Sequence, residues 1–312
     1  MEFANRWFDP NDVKFREVSE VRTAQKSDAV PITRLLHSTH FSHLHVDWRL
    51  PVDWLGDPGF VVMPMLPAGD TSQAKMDLVE PREKLLACLA VTADPLPASW
   101  VRLTAVSPEL DVLTALSEMF AFVKTALRLT AVTEVGWLVL AHWPLPYLSA
   151  LGFEQATVIE TYRKDNLTVP RVKAPPDLLI RPVIETDYER LAELETAVFA
   201  PLWRFSVEAL RLARREAVSF DVALLNDRLV GYQISSGGRY GAHLVRVCIM
   251  PEVQGQGVGT ALLAQTIAGY RAMGFTHVTL NTQVDNPTSH HLYEKFGFRM
   301  TGEQMPLWVM SL

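Results

Sequence analysis

The run from Leu244 to Leu263, LVRVCIMPEVQGQGVGTALL, constrains this chain more than any other. Val245, Val247 and Ile249 alternate as β-branched residues do along a strand. Pro251 has no N–H to donate and ends the ladder. Gly255, Gly257 and Gly259 then recur at every second position, which lets the backbone turn sharply and come close to a ligand. Leu263, Ile267 and Tyr270 fall at helical spacing, so the turn opens into a helix. Bare N–H groups and the positive dipole end at such a helix start form a site for phosphate.

Two familiar phosphate loops are excluded by spacing. No Gly-Lys-Ser/Thr follows, so this is not the nucleotide P-loop. Gly259 follows Gly257 too closely for the dinucleotide template G-x-G-x-x-G. A second signal lies downstream. Val278 to Val284 reads as a strand, and Asn286 as N-cap with Pro287 at N1 starts a helix over Thr288 to Phe296 that Gly297 closes.

The loop Gln254 to Gly259, placed after a strand and a proline, resembles the acetyl-CoA loop of the GNAT acetyltransferase superfamily. The string N-P-T-S-H-H-L-Y-E-K-F-G-F resembles a second motif of that family, except that Ser289 stands at its usual alanine. The resemblance covers the chain from about Leu178 to its end. It implies an acetyl-CoA-dependent transfer to a primary amine of a small molecule or peptide. It also assigns roles. The backbone of Val247 and Ile249 would pair with the pantetheine arm. The backbone N–H groups of Gln254, Gly255, Gln256, Gly257, Val258, Gly259 and Thr260 would hold the pyrophosphate. Tyr293 would give a proton to the leaving thiolate, and Asn286 is either a helix cap or a cofactor contact. No general base is legible, and Glu195, Tyr240, His243 and Glu303 stand level. Arg246, the one charge on its strand, either meets a substrate carboxylate or lies along the sheet surface. Two other classes stay open: a non-catalytic acyl-CoA sensor and a peptide-binding module.

At 312 residues the chain is long enough for two domains. The order strand, strand, helix, strand over Leu85–Thr92, Val101–Val106, Leu110–Leu127 and Gly136–Leu140 anticipates the later half. Tyr147 to Phe153 is a worn copy of Leu292 to Phe298, and Pro108 to Gly152 spans 44 positions against 46 from Pro251 to Gly297. We therefore expect an α+β fold (an α/β sandwich) of two tandem GNAT-like domains, each a mixed, mostly antiparallel sheet flanked by helices. Residues 1–168 form the degenerate unit, joined by the proline-rich linker Asn166–Asp177 to a catalytic unit over 169–312. The first copy carries Glu109 and Asp111 where the glycines should be, and Leu148 and Ala141 in place of Tyr293 and Asn286. A loop with side chains and two carboxylates cannot wrap a pyrophosphate.

A net charge of -6 gives no basic footprint for nucleic acid or an acidic membrane, and suits an amine substrate. Apolar runs stop well short of the roughly 20 residues of a membrane span, and the first residues carry no secretory pattern. Cys88 and Cys248 lie in apolar runs and read as free buried thiols of a reducing cytoplasm. A monomer or a homodimer is expected. His37, His40, His43 and His45, followed by Asp47, match no zinc spacing, and no metal is expected. An edge strand is expected near Lys14 to Val21.

Overall fold

The computed structural model describes residues 20–65 and 84–312. Most of the expected strand near Lys14 to Val21 lies outside the described residues; Glu20 and Val21 are not in a strand. In the first half β1 (Arg22–Thr23) leads through a 3₁₀ turn to α1 (Ala29–Ser38), β2 (Ser42–Leu44) and β3 (Phe60–Pro64). Then follow β4 (Leu85–Thr92), β5 (Ala98–Val106), α2 (Val112–Leu127), β6 (Glu134–Leu138), α3 (Leu145–Leu148) and β7 (Glu154–Lys164). The second half holds β8 (Leu178–Pro182), α4 (Tyr188–Val198), α5 (Val207–Glu216), β9 (Ser219–Leu225) and β10 (Arg228–Gly237). It ends with β11 (Gly241–Ile249), α6 (Val258–Ala272), β12 (His277–Gln283), α7 (Pro287–Lys295) and β13 (Arg299–Ser311).

All the strands join one sheet in the order β1-β3-β4-β5-β6-β13-β7-β12-β11-β10-β9-β8, with β2 added on β5. Read inward from either end, the halves have like topology. Each has an antiparallel run and then a parallel pair, β5 with β6 and β11 with β12, bridged by a helix on each side. The halves exchange their last strands. β13 inserts between β6 and β7, and β7 inserts between β12 and β13. The fold is thus the mixed, mostly antiparallel α+β architecture expected, built as one continuous sheet.

Helices cover both faces of this sheet, which explains why β4 and β5 are buried along their whole length. Ile32 and Leu35 of α1 pack on one face with Cys88, Ala90, Leu103 and Ala105. Leu116, Met119, Phe120 and Val123 of α2 cover the other with Trp137 and Phe153. In the second half Leu263, Ile267 and Tyr270 of α6 pack with Leu244, Val278 and Leu280. Leu191 and Leu194 of α4 pack opposite, with Val222, Tyr232 and Cys248. Both cysteines are buried and free. β2 and β3 replace what the sequence reads as loop; Val61 and Val62 are fully buried despite the flanking Gly59 and Pro64.

Candidate active site

The parallel pairing of β11 with β12 runs from Gly241–His277 to Leu244–Leu280 and then stops. On its other edge β11 stays paired with β10 as far as Ile249. The cause is a bulge. Ser235 faces Leu244 and Ile234 faces Arg246, so Val245 has no partner. An extra residue bends a strand and increases its twist, while β12 is held in line by β7 through Gln283. From Val245 to Ile249 one edge of β11 therefore faces an open cleft of about 1120 Å³.

The cleft leads to the glycine turn. Gly255 and Gly257 take φ values of 75° and 91°, the left-handed region that glycine enters without strain. Gly257 is the N-cap of α6 and has no side chain to cap it. The first N–H groups of the helix, from Val258 to Thr260, thus have no intrahelical acceptor and meet the positive end of the dipole. A Cβ on Gly257 would come within 3.2 Å of the Lys173 carbonyl oxygen, so the linker packs against this turn.

Of the residues expected at the site, Val247, Ile249, Gln254, Gly255, Gly257, Gly259, Thr260, Asn286 and Tyr293 all line the cleft. Gln256 and Val258 do not: Gln256 turns outward to bond the Glu252 carbonyl, and the Val258 side chain is 1% exposed in the core. Gln254 bonds the Ile249 carbonyl through Nε2 and closes the strand end. Asn286 is a cap, since its Oδ1 accepts from the Ser289 N–H at 3.1 Å. Tyr293 sits in the core beside Tyr162 and Phe298 with 7% of its surface exposed. Burial pushes its phenol up to about 12, against a smaller opposing effect of a hydrogen bond with Ser289. The group is protonated at any physiological pH.

The four candidate bases separate. Glu195 is fully buried, accepts from Tyr232 Oη and from the Phe205 N–H, and does not reach the cleft. Desolvation raises its pKa, against the pull of Arg246 and these hydrogen bonds. Tyr240 is 58% exposed and Glu303 is exposed; neither lines this cleft. His243 does line it, half-buried on β11 just before the bulge. Its Nδ1 lies 2.8 Å from Thr279 Oγ1, and burial lowers its pKa, so the imidazole is neutral. Arg246 follows neither of the two readings. Its guanidinium stacks 4.2 Å over Phe199 and 4.0 Å over Phe205, donates to the Trp203 carbonyl and stands 3.5 Å from Glu195.

The first half has the same bifurcation and has closed it. β5 pairs with β6 only from Ala98–Glu134 to Trp100–Gly136. The gap beyond is filled by β2, with Ser42, His43 and Leu44 opposite Ala105, Thr104 and Leu103. Hydrogen bonds from the His45 N–H to Arg102 O and from the Val106 N–H to Phe41 O extend the seam. The N-terminus of α2 is closed as well, because the Asp111 carboxylate accepts from the Thr114 N–H at 2.9 Å. The cleft of the second half nevertheless draws on the first: His45, Asp47, Trp48, Trp100 and Arg102 line it. Sequence reasoning missed these residues because no local pattern marks them; β2 and the turn after it bring them across. Of the four histidines, His43 and His45 stay together with ring centroids 6.4 Å apart, and among the described residues no group of three or more metal-ligating side chains forms.

Residues 187–298 match the model of the acetyltransferase (GNAT) family. The second half of this chain is therefore similar to the GNAT acetyltransferases, and the bifurcated strands, the glycine turn and Tyr293 fall within the matched residues. Among individual proteins, the chain is 30% identical over 180 residues to mycothiol acetyltransferase of Geodermatophilus obscurus, 51% of this chain and 58% of that one. The chain thus spans little more than half of that relative. It is 28% identical over 120 residues to the [ribosomal protein bS18]-alanine N-acetyltransferase of Haemophilus influenzae, 38% of this chain and 80% of that one. A tandem GNAT protein of the clavulanic acid biosynthesis pathway shares the fold over 95% of this chain and 98% of its own, with a TM-score of 0.60 and 15% identity.

Proposed function

We propose that the protein is an acetyl-CoA-dependent N-acetyltransferase acting on a primary amine, with the second unit (169–312) catalytic and the first (1–168) shaping the acceptor side, and that it works in the cytoplasm. The observation that carries this is the opening of β11 from β12 at Leu244, which leaves a strand edge leading directly to an uncapped helix start. The residues present fit the donor: unpaired backbone for the amides of a pantetheine arm, and free N–H groups with a positive dipole for a pyrophosphate. Bound there, acetyl-CoA would supply an activated acyl group. The neutral His243 ring then takes a proton from the incoming amine, directly or through water, and the Tyr293 phenol gives one to the departing sulfur. The relatives, named for acetylating mycothiol and a ribosomal protein alanine, support an amine acceptor without choosing one.

The test is thermal unfolding with acetyl-CoA, against Gly255→Glu. A Cβ at Gly255 meets nothing within 4 Å, and because its φ of 75° strains any side chain, each protein's shift is read against its own ligand-free melting temperature. At 100 times its Kd the ligand adds about 2.7 kcal/mol. A shift in the wild type that the variant loses supports the reading. No shift at saturating acetyl-CoA sinks it.

A further inference from the structure

We propose that the acceptor is an amine with one flat, apolar, ring-sized body, the arylalkylamine class, held in an aromatic box between the halves; this rests on the acetyltransferase reading. Trp48 and Trp100 come from the first half, and Phe199, Trp203 and Phe205 from the second. The rings meet edge to face, Trp48 with Phe205 at 5.0 Å and Trp100 with Trp203 at 5.5 Å. Such faces gain most from burying another ring.

Most of the polar groups nearest the rings are engaged, although His45 Nδ1 and Arg246 Nε have no partner. Trp100 Nε1 donates to the Leu202 carbonyl at 2.9 Å, so the indole presents only its apolar surface. Asp47 and Asp94 are balanced by two arginines: Arg49 stands 2.6 Å from Asp94 and 3.5 Å from Asp47, and Arg102 stands 3.3 Å from Asp47. Arg246 is matched by Glu195 and sandwiched between Phe199 and Phe205. Two Asp–Arg partners and one Glu–Arg pair balance one another, and Arg204, which also lines the cleft, is turned onto the Phe199 and Thr196 carbonyls. A polyamine or an amino sugar would bring polar groups into a wall that can pair few of them, which costs free energy. A ring would lose nothing. The reacting nitrogen would point to the bulge at Val245, next to the neutral ring of His243.

The experiment uses the full chain. Intrinsic tryptophan fluorescence is titrated with 2-phenylethylamine, glucosamine and spermidine, with and without CoA, and thiol release from acetyl-CoA is followed with each amine. The expected result is at least tenfold tighter binding of 2-phenylethylamine, and a matching preference in kcat/KM. Trp48→Ala should weaken that binding at least tenfold and leave the thermal shift with acetyl-CoA intact; Trp48→Phe, which keeps a ring opposite Phe205, should restore most of it. Equal or tighter binding of glucosamine or spermidine overturns the proposal. So does a Trp48→Ala variant that binds 2-phenylethylamine as the wild type does. If acetyl-CoA produces no shift, the acetyltransferase reading falls, and the amine titration without CoA still decides what the box takes.

Discussion

Tyr293 and His243 stand on opposite sides of one proton inventory. Tyr293 is held protonated by burial, with a pKa of about 12, and His243 is held neutral by burial. Replacing Tyr293 by Phe should lower kcat by roughly 10²- to 10⁴-fold while the thermal shift with acetyl-CoA survives. Steady-state kinetics and unfolding on the same preparation check this. For His243 the lowered pKa places the acid limb of kcat/KM below the ordinary imidazole value, and His243→Gln should abolish that limb along with most of the rate. A pH–rate profile decides it. Two other histidines weaken the fold in acid, His43 and its neighbour His45, whose pKa burial lowers to about 3. His43 is 3% exposed, its Nε2 lies 3.3 Å from the Val101 carbonyl, and its Nδ1 has no partner. Burial drives its pKa down to about 4. The unfolded chain binds a proton at this site near pH 6.5 and the folded chain does not, so stability falls as pH drops from about 6.5 towards 4. The loss is of the order of 3 kcal/mol. His43→Phe, which keeps a ring against Trp137, should make that stretch of the stability–pH curve shallower in urea unfolding, with the slope due to His45 remaining.

At the scale of elements, β2 decides what the first half can do. It occupies the gap that β5 and β6 leave, as a peptide ligand would. We expect one equivalent of acetyl-CoA per chain by isothermal titration. Two equivalents would mean that β2 is displaced. The sequence marks the difference between the halves only chemically, through Glu109 and Asp111 in place of glycines. It cannot expose the strand that fills the gap, because Ser42-His43-Leu44 is too short to show a period. β3 escapes for a related reason: Phe60–Pro64 is five residues among prolines and glycines, and its burial comes from neighbours. The longer elements are legible within a few residues. β4 matches its expected bounds, and between β9 and β10 Asn226 and Asp227 both take positive φ, as their residue types favour. The second-half site is legible for the same reason that its loop is: glycine positions and caps are local. The acceptor wall is not, since Trp48 and Trp100 act on a site made by another part of the chain.

Across the whole molecule, the exchanged strands bind the halves more tightly than the linker does. β7 contributes its edges to β12 and β13, and β13 contributes its own to β6 and β7. Either half expressed alone would miss its central insert and present long unpaired edges, a setting that favours aggregation. Cleaving the exposed linker at Ala174 should leave the two pieces bound to each other on size-exclusion chromatography, with the cleft intact. The pieces made separately should be insoluble, and recover when made together. The linker is then a tether rather than a hinge. In the terms of descent, a chain with this braid at its centre is put together like a dimer joined into one gene: neither half can be discarded, because each borrows the other's strand.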